Sequence, residues 1–344
     1  MENNPFLIVC AASSGSTLLS VLLDKHPDIA CGPEIAVFNK KLTYKKYNTF
    51  QKKLPFALKS GTSSGGQVEY SGFFDNKKEY FQTEEDLIKL SKEALNTKKF
   101  FDLFFEKFLK KRNKIIWGEK TGSNSYYLFD FLKIYPNAKI IHLVRDPRDS
   151  INSIIKRTLN ENTKDNNFAI YHSVSHWLYN NSAAYSIKNK KNYLRIKYEN
   201  LVTNPEETLK VILEHIGVDY INLVNLDNNY WKEVNNENIH KTWNTNPFSK
   251  ISTSSIGKYK EELPNEAFNM IKYLKLSFIA RKKLKVKHKS IEFLMNEFGY
   301  ENNKGEYKNA NSKYLRKQIL IYELQRAKRE YRRHRIIYLP LFYV

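Results

Sequence analysis

Cysteine is scarce in this chain, long apolar runs are missing and acids are in short supply. Its 344 residues include two cysteines, Cys10 and Cys31, too few for a disulfide framework or a thiolate metal cluster. Cys10 falls inside an apolar segment and reads as a buried free thiol, which suits a reducing, cytoplasmic setting. No stretch approaches the roughly 20 apolar residues that cross a bilayer. No basic leader precedes the first apolar segment, so no signal peptide is expected. The 36 acids stand against 57 lysines and arginines, a formal charge of +21. That excess calls for an anionic partner: nucleic acid, anionic membrane, polyanionic substrate or phosphorylated ligand. No nucleic-acid motif accompanies it, and the aromatics do not interleave with the basic residues, so nucleic acid is not expected as a partner. With 41% hydrophobic and 14% aromatic residues, the chain can build a core and does not read as disordered.

What is present is an alternation of apolar strands and helices. The run 6–12 reads as a strand, 16–26 as a helix closed by His26-Pro27, and 29–34 as extended. Residues 39–80 are mixed, with a Ser/Gly loop at Ser60–Gly66, and a helical pattern begins at Thr83 and runs to 112. The stretch 36–112 is thus expected as an insertion that can act as a lid. Strands follow at 115–120, 138–144 and 193–197, helices at 124–134, 147–158, 168–188 and 204–216. Such alternation predicts an α/β fold, with a central parallel sheet flanked by helices in three P-loop-like layers. Residues 301–344 hold 11 Lys+Arg and 4 Asp+Glu, with Leu320, Leu324, Ala327 and Tyr331 on one helical face. This reads as a basic, mostly helical extension beyond a domain of residues 1–300, first as a solvated face and, as the alternative, as a contact for a membrane surface or a partner protein.

Two places can take anions. Ser14-Gly15-Ser16-Thr17 joins the first strand to the first helix. Gly15 lets the backbone approach a phosphate, while Ser16 and Thr17 add hydroxyls at a helix start. The loop lacks the Gly-Lys pair of nucleoside-triphosphate-binding loops, and no acidic magnesium ligand is evident, which argues against a kinase. Arg145 ends its strand, with Ser153 in the next helix, and a guanidinium fork suits a phosphate dianion. Two phosphate sites on neighbouring strand ends suggest a nucleotide phosphorylated at two positions. His172 and His176 share a helix face, but no third ligand stands at the needed spacing, so no metal is expected. His142, mid-strand, reads as a packed histidine.

These segments resemble the sulfotransferases that use 3′-phosphoadenylyl sulfate (PAPS). Ser14-Gly15-Ser16-Thr17-Leu18-Leu19 followed by Leu23-Asp24-Lys25-His26-Pro27 is similar to their 5′-phosphosulfate loop. Ile140–Asp149 with Ser153 is similar to their 3′-phosphate motif. Trp117-Gly118-Glu119-Lys120-Thr121, Lys197-Tyr198-Glu199-Asn200-Leu201 and Ser255-Ile256-Gly257-Lys258-Tyr259 resemble three further segments in family order. The resemblance implies in-line sulfuryl transfer from PAPS to a hydroxyl, with an amine as the other acceptor left open, with Glu34 of Cys31-Gly32-Pro33-Glu34 as general base and Lys120 neutralising developing charge. It implies nucleotide contacts from Ser13, Ser14, Gly15, Ser16, Thr17, Leu18, Arg145, Ser153, Arg157, Tyr198, Ser255, Gly257 and Lys258. Where the family usually has Lys or Arg, this chain has Ser13; either Lys120 or Arg157 supplies that cation or turnover is weak. The acceptor class implied is a glycan, lipid-linked saccharide or small metabolite, with a tyrosyl peptide also open. A weakly active or inactive PAPS-binding relative and a P-loop kinase are the alternative readings.

Overall fold

The computed structural model describes residues 4–59, 73–74, 76–161, 163–236, 251–301, 312–334 and 340–343. The loop Ser60–Gly66 and the stretch Ile336–Leu339 lie outside them. From β1 (Phe6–Cys10) the chain enters α1 (Ser16–Leu23) and returns through β2 (Ile29–Cys31). Then come α2 (Tyr47–Lys59), α3 (Glu84–Glu93), α4 (Thr97–Arg112), β3 (Ile116–Lys120), α5 (Leu128–Ile134) and β4 (Lys139–Val144). The long helices α6 (Pro147–Glu161) and α7 (Asn166–Tyr185) precede β5 (Tyr193–Lys197), α8 (Tyr198–Thr203), α9 (Pro205–Ile216) and α10 (Asn229–Asn236). The remainder is α11 (Tyr259–Glu262), α12 (Asn265–Tyr273), β6 (Lys275–Leu276), α13 (Phe278–Leu284), α14 (Ile291–Phe298), α15 (Ser312–His334) and β7 (Phe342–Tyr343).

The first five strands form a parallel sheet flanked by helices, in the order β2-β3-β1-β4-β5. By contacts the chain divides into two compact units. One holds Met1–Val9, Gly15–Leu143 and Asn189–Ser252; the other holds Cys10–Ser14, Val144–Lys188 and Thr253–Val344. Each has its own core.

In the first unit β1 is buried along its whole length, as expected for a strand covered on both faces. Phe6 lies opposite Gly118 of β3. A Cβ at Gly118 would sit 2.0 Å from the Phe6 ring, so only glycine admits that ring. The aromatic content is concentrated here. Phe105 stacks on Trp117 at 3.8 Å between centroids, and Phe38, Phe50, Phe74, Phe100, Phe101 and Phe104 are all buried. These rings pack the helices of the 36–112 stretch against β3. The helical pattern over 83–112 resolves into two helices, because Ala94 is extended and Asn96 caps α4 by accepting the Lys99 N–H. Likewise 124–134 begins with a short tight turn before α5, and α8 precedes α9. The first helix stops at Leu23, where the buried Asp24 carboxylate accepts from the Cys31 N–H at 2.9 Å and from Arg112 at 2.8 Å.

In the second unit α6, α7, α12, α14 and α15 share one apolar core that includes Val144, Ile151, Val174, Trp177, Ile271 and Leu294. Helix α15 joins it through Leu315, Ile319 and Tyr322. The apolar stripe expected from sequence is a different one: Leu320 and Leu324 are more than half exposed. The packed stripe begins at Leu315 instead, and it carries the buried Glu323, which accepts from Tyr171, from Arg326 at 2.9 Å and from the Leu341 N–H at 2.6 Å. Among the described residues no helix is long and apolar enough to cross a membrane.

Candidate active site

In the first unit the site is built on the ends of β1, β2 and β3. Gly15 opens α1 with φ +85° and offers no side-chain cap. The first N–H groups of an α-helix lack intrahelical acceptors, so those of Ser16, Thr17 and Leu18 are available to an anion. A Cβ at Gly15 would come within 2.4 Å of the Tyr198 ring. The aromatic ring at the β5–α8 junction therefore closes one side of the turn, and only glycine fits beneath it. Lys120, the last residue of β3, is buried. Its ammonium donates to Thr17 Oγ1 at 3.0 Å and to Glu34 Oε1 at 2.8 Å. The Glu34 side chain is 43% exposed. One cation thus joins the helix start to a carboxylate that solvent can reach, and Thr17, Glu34, Lys120, Gly15 and Tyr198 belong to one cluster.

The segment carrying Glu34 is pinned from several sides. Tyr80 donates to Pro33 O at 2.7 Å and Asn76 to Glu34 O at 2.6 Å. On the β3 side, Thr121 Oγ1 accepts the Ala36 N–H at 3.2 Å, and Glu119 Oε1 takes the Ile35 N–H at 3.5 Å. Glu119 is fully buried. It accepts from Thr121 at 2.5 Å and from Asn124. Burial, with Glu34 nearby, pushes its carboxyl up to about 7 against these stabilising bonds. Sequence reasoning passed over Glu119 as a group of its own, because it sits beside Lys120 at the charged end of β3.

In the second unit Arg145 organises three of the segments singled out from sequence. Its guanidinium donates to Ser13 O at 2.8 Å and to Ser255 O at 2.6 Å. Ser13 takes a left-handed φ of +58°, a conformation that costs a non-glycine residue about 1–2 kcal/mol. The 12–14 turn is held further by Ser150, which donates to Ala12 O at 3.0 Å, and by His176, whose Nε2 accepts the Ala12 N–H at 3.2 Å. That bond requires a neutral imidazole, and burial pushes His176 down to about 3. Ser14 is buried and its hydroxyl has no hydrogen-bond partner among the described residues, an unmet polar group in this turn. The 255–259 loop is held by Asp149, which accepts the N–H of Gly257 at 2.7 Å and of Tyr259 at 3.0 Å. Arg148 pairs with Asp146 at 2.7 Å and lies 4.1 Å over the Tyr259 ring. Asp149 and Arg148 were read from sequence only as part of a motif; the structure makes them loop fasteners. Ser153 and Arg157 lie one turn apart on α6, both half-buried, and Lys258 is exposed. His142 is buried and bonds Tyr193 at 2.7 Å.

A sequence model of the sulfotransferase family matches residues 5–222. Protein-tyrosine sulfotransferase A of Caenorhabditis elegans is 24% identical over 229 residues, 64% of this chain and 51% of that protein. The protein-tyrosine sulfotransferase of Drosophila melanogaster is 25% identical over 254 residues, 70% of this chain and 42% of that protein. The chain therefore spans about half the length of these relatives or less. Among solved structures, the sulfotransferase domain of the Synechococcus PCC 7002 olefin synthase superposes with a TM-score of 0.57 at 21% identity, covering 88% of this chain and 98% of that domain. The sulfotransferase domain from the curacin biosynthetic pathway gives 0.51 at 15% identity, covering 87% and 99%. At these identities the likeness is one of fold.

Proposed function

This chain belongs to the sulfotransferase family, and on that premise we propose that it transfers a sulfuryl group from PAPS to an acceptor hydroxyl. The observation that carries the reading is Lys120, buried, with its ammonium shared between Thr17 at the start of α1 and the accessible Glu34 carboxylate. Two features of the chain fit the nucleotide: the uncapped turn that Gly15 keeps open beneath Tyr198, and the unsatisfied hydroxyl of Ser14. Ser13 to Leu18 are assigned to its 5′ end, Arg145, Ser153 and Arg157 to its 3′ phosphate, and Tyr198, Ser255, Gly257 and Lys258 to further contacts. PAPS supplies the activated sulfuryl group. The work left to the chain is positioning and charge stabilisation. Glu34 takes the acceptor's hydroxyl proton on a carboxylate oxygen, and Lys120 offsets negative charge beside the α1 N-terminus. A glycan, lipid-linked saccharide or small metabolite is the proposed acceptor class, with a tyrosyl peptide as the second, favoured by the curated relatives' names. The two buried free thiols suit a cytoplasmic setting.

Calorimetry with adenosine 3′,5′-bisphosphate (PAP) tests this. Wild-type protein binds it, and Glu34→Gln binds it within a few-fold while losing transfer. Absence of binding sinks the reading. Binding without turnover of any acceptor identifies a non-catalytic relative, and magnesium-dependent ATP turnover a kinase. Either outcome replaces the proposal.

A further inference from the structure

We propose that Glu119 is a positioning residue for Glu34, acting through a one-way hydrogen-bond relay that fastens the segment after Glu34 to the end of β3. The inference deepens the sulfotransferase reading and rests on it. Its observations are geometric. Glu119 and Lys120 are consecutive on β3; Lys120 holds the Glu34 side chain, and Glu119 holds the backbone just beyond it. The relay runs in one direction: the Ala36 N–H donates to Thr121 Oγ1 at 3.2 Å, and the Thr121 hydroxyl donates to Glu119 Oε1 at 2.5 Å. The Ile35 N–H points to the same oxygen at 3.5 Å, and the Asn124 amide donates to the other. Three donors converging on one buried carboxyl are best met by the ionised form. What they fasten is strained, since Ala36 adopts a left-handed φ of +53°. An alanine stays there only when its surroundings over-determine it.

The relay is sensitive to one proton. Of the groups facing Glu119, the Cys31 thiol is pushed up to about 12 and the Tyr44 and Tyr80 phenols lie well above their usual range, so all three are neutral. Glu34 faces it as a like charge, while Lys120, beside it on the strand, is committed to Glu34 and Thr17. When Glu119 takes a proton, an O–H must replace one acceptor in the set. Asn124 can meet it by rotating, because its Oδ1 is buried with no hydrogen-bond partner among the described residues. The charge-assisted pull on Thr121 and Ile35 is then lost.

Hydrogen exchange on the full chain decides this. Amides 35–36 should lose protection, beyond the intrinsic rate change, as pH falls through about 7, the value to which Glu119 is raised. In Glu119→Gln they should be several-fold less protected, with no such pH step. In Glu34→Gln the step should persist but move to lower pH, because the like charge facing Glu119 is gone. Release of PAP from PAPS, with water as acceptor, supplies a second readout. Glu119→Gln should lower kcat about tenfold or more, keep KM for PAPS within about threefold and remove the step near pH 7 from the rate profile. If Glu119→Gln does not fold, Thr121→Val removes the relay without touching the carboxyl, and amides 35–36 should again lose protection. Unchanged protection in either folded variant overturns the proposal, as does a loss confined to KM. If PAPS is neither bound nor turned over, the sulfotransferase reading fails while the exchange result still judges the positioning role.

Discussion

Glu119 shows at the scale of one residue how burial turns a carboxyl into a liability that structure then exploits. Its folded value of about 7 lies above the ordinary 4.5, so the folded chain holds a proton that the unfolded chain has released between those values. Stability therefore falls as pH rises through that window and is flat above it. Replacing Glu119 with Gln should flatten the corresponding drop in Tm between about pH 4.5 and about pH 7; an unchanged slope would show that other groups carry it. Part of the candidate cluster was legible at this scale. Gly15, Thr17, Glu34 and Lys120 could be named from sequence because family spacing points to them. Glu119 could not, because an acid next to a site lysine looks like a strand-end charge until its burial and its three donors are seen.

At the scale of elements, strand ends and helix starts set where the site residues fall. Each β-strand of the sheet was anticipated near its observed place, since apolar runs bounded by turn residues are a local signal. Helix interruptions were not: the break at Ala94–Asn96 depends on Asn96 capping α4, and an amphipathic period carries straight through it. The 255–259 loop is the clearest case of an element made by distant residues. Its conformation depends on Asp149, which accepts two of its backbone N–H groups. Asp149→Ala leaves both without an acceptor, a cost of about 1–3 kcal/mol each if they stay buried. The loop should loosen, seen as faster amide exchange at 257–259, and PAP affinity should drop with it. Loosening with full affinity would remove this loop from the nucleotide site.

At the scale of the whole chain, two cores carry the stability, one rich in phenylalanine and one assembled from the long helices. The C-terminal helix α15 belongs to the second and is clasped there by Glu323. Removing that buried carboxylate takes an acceptor from Arg326, Tyr171 and the Leu341 N–H together, and breaking a buried pair typically costs about 3–5 kcal/mol. Glu323→Ala should lower Tm by several degrees, read by differential scanning calorimetry, whereas Leu324→Ala on the exposed face should leave it nearly unchanged. An equal effect of the two would place the wrong face inward. The sequence alone determined the parallel α/β fold and the order of its strands along the chain, because these are set by short-range patterns of apolar, small and charged side chains. Tertiary structure decided which face of α15 is buried, that Arg145 grips the carbonyls of Ser13 and Ser255, and that Lys120 pairs with the Glu34 side chain while Glu119 and Thr121 take the N–H groups of Ile35 and Ala36. Those outcomes depend on burial and on donors arriving from residues more than 80 positions away, which no local pattern encodes.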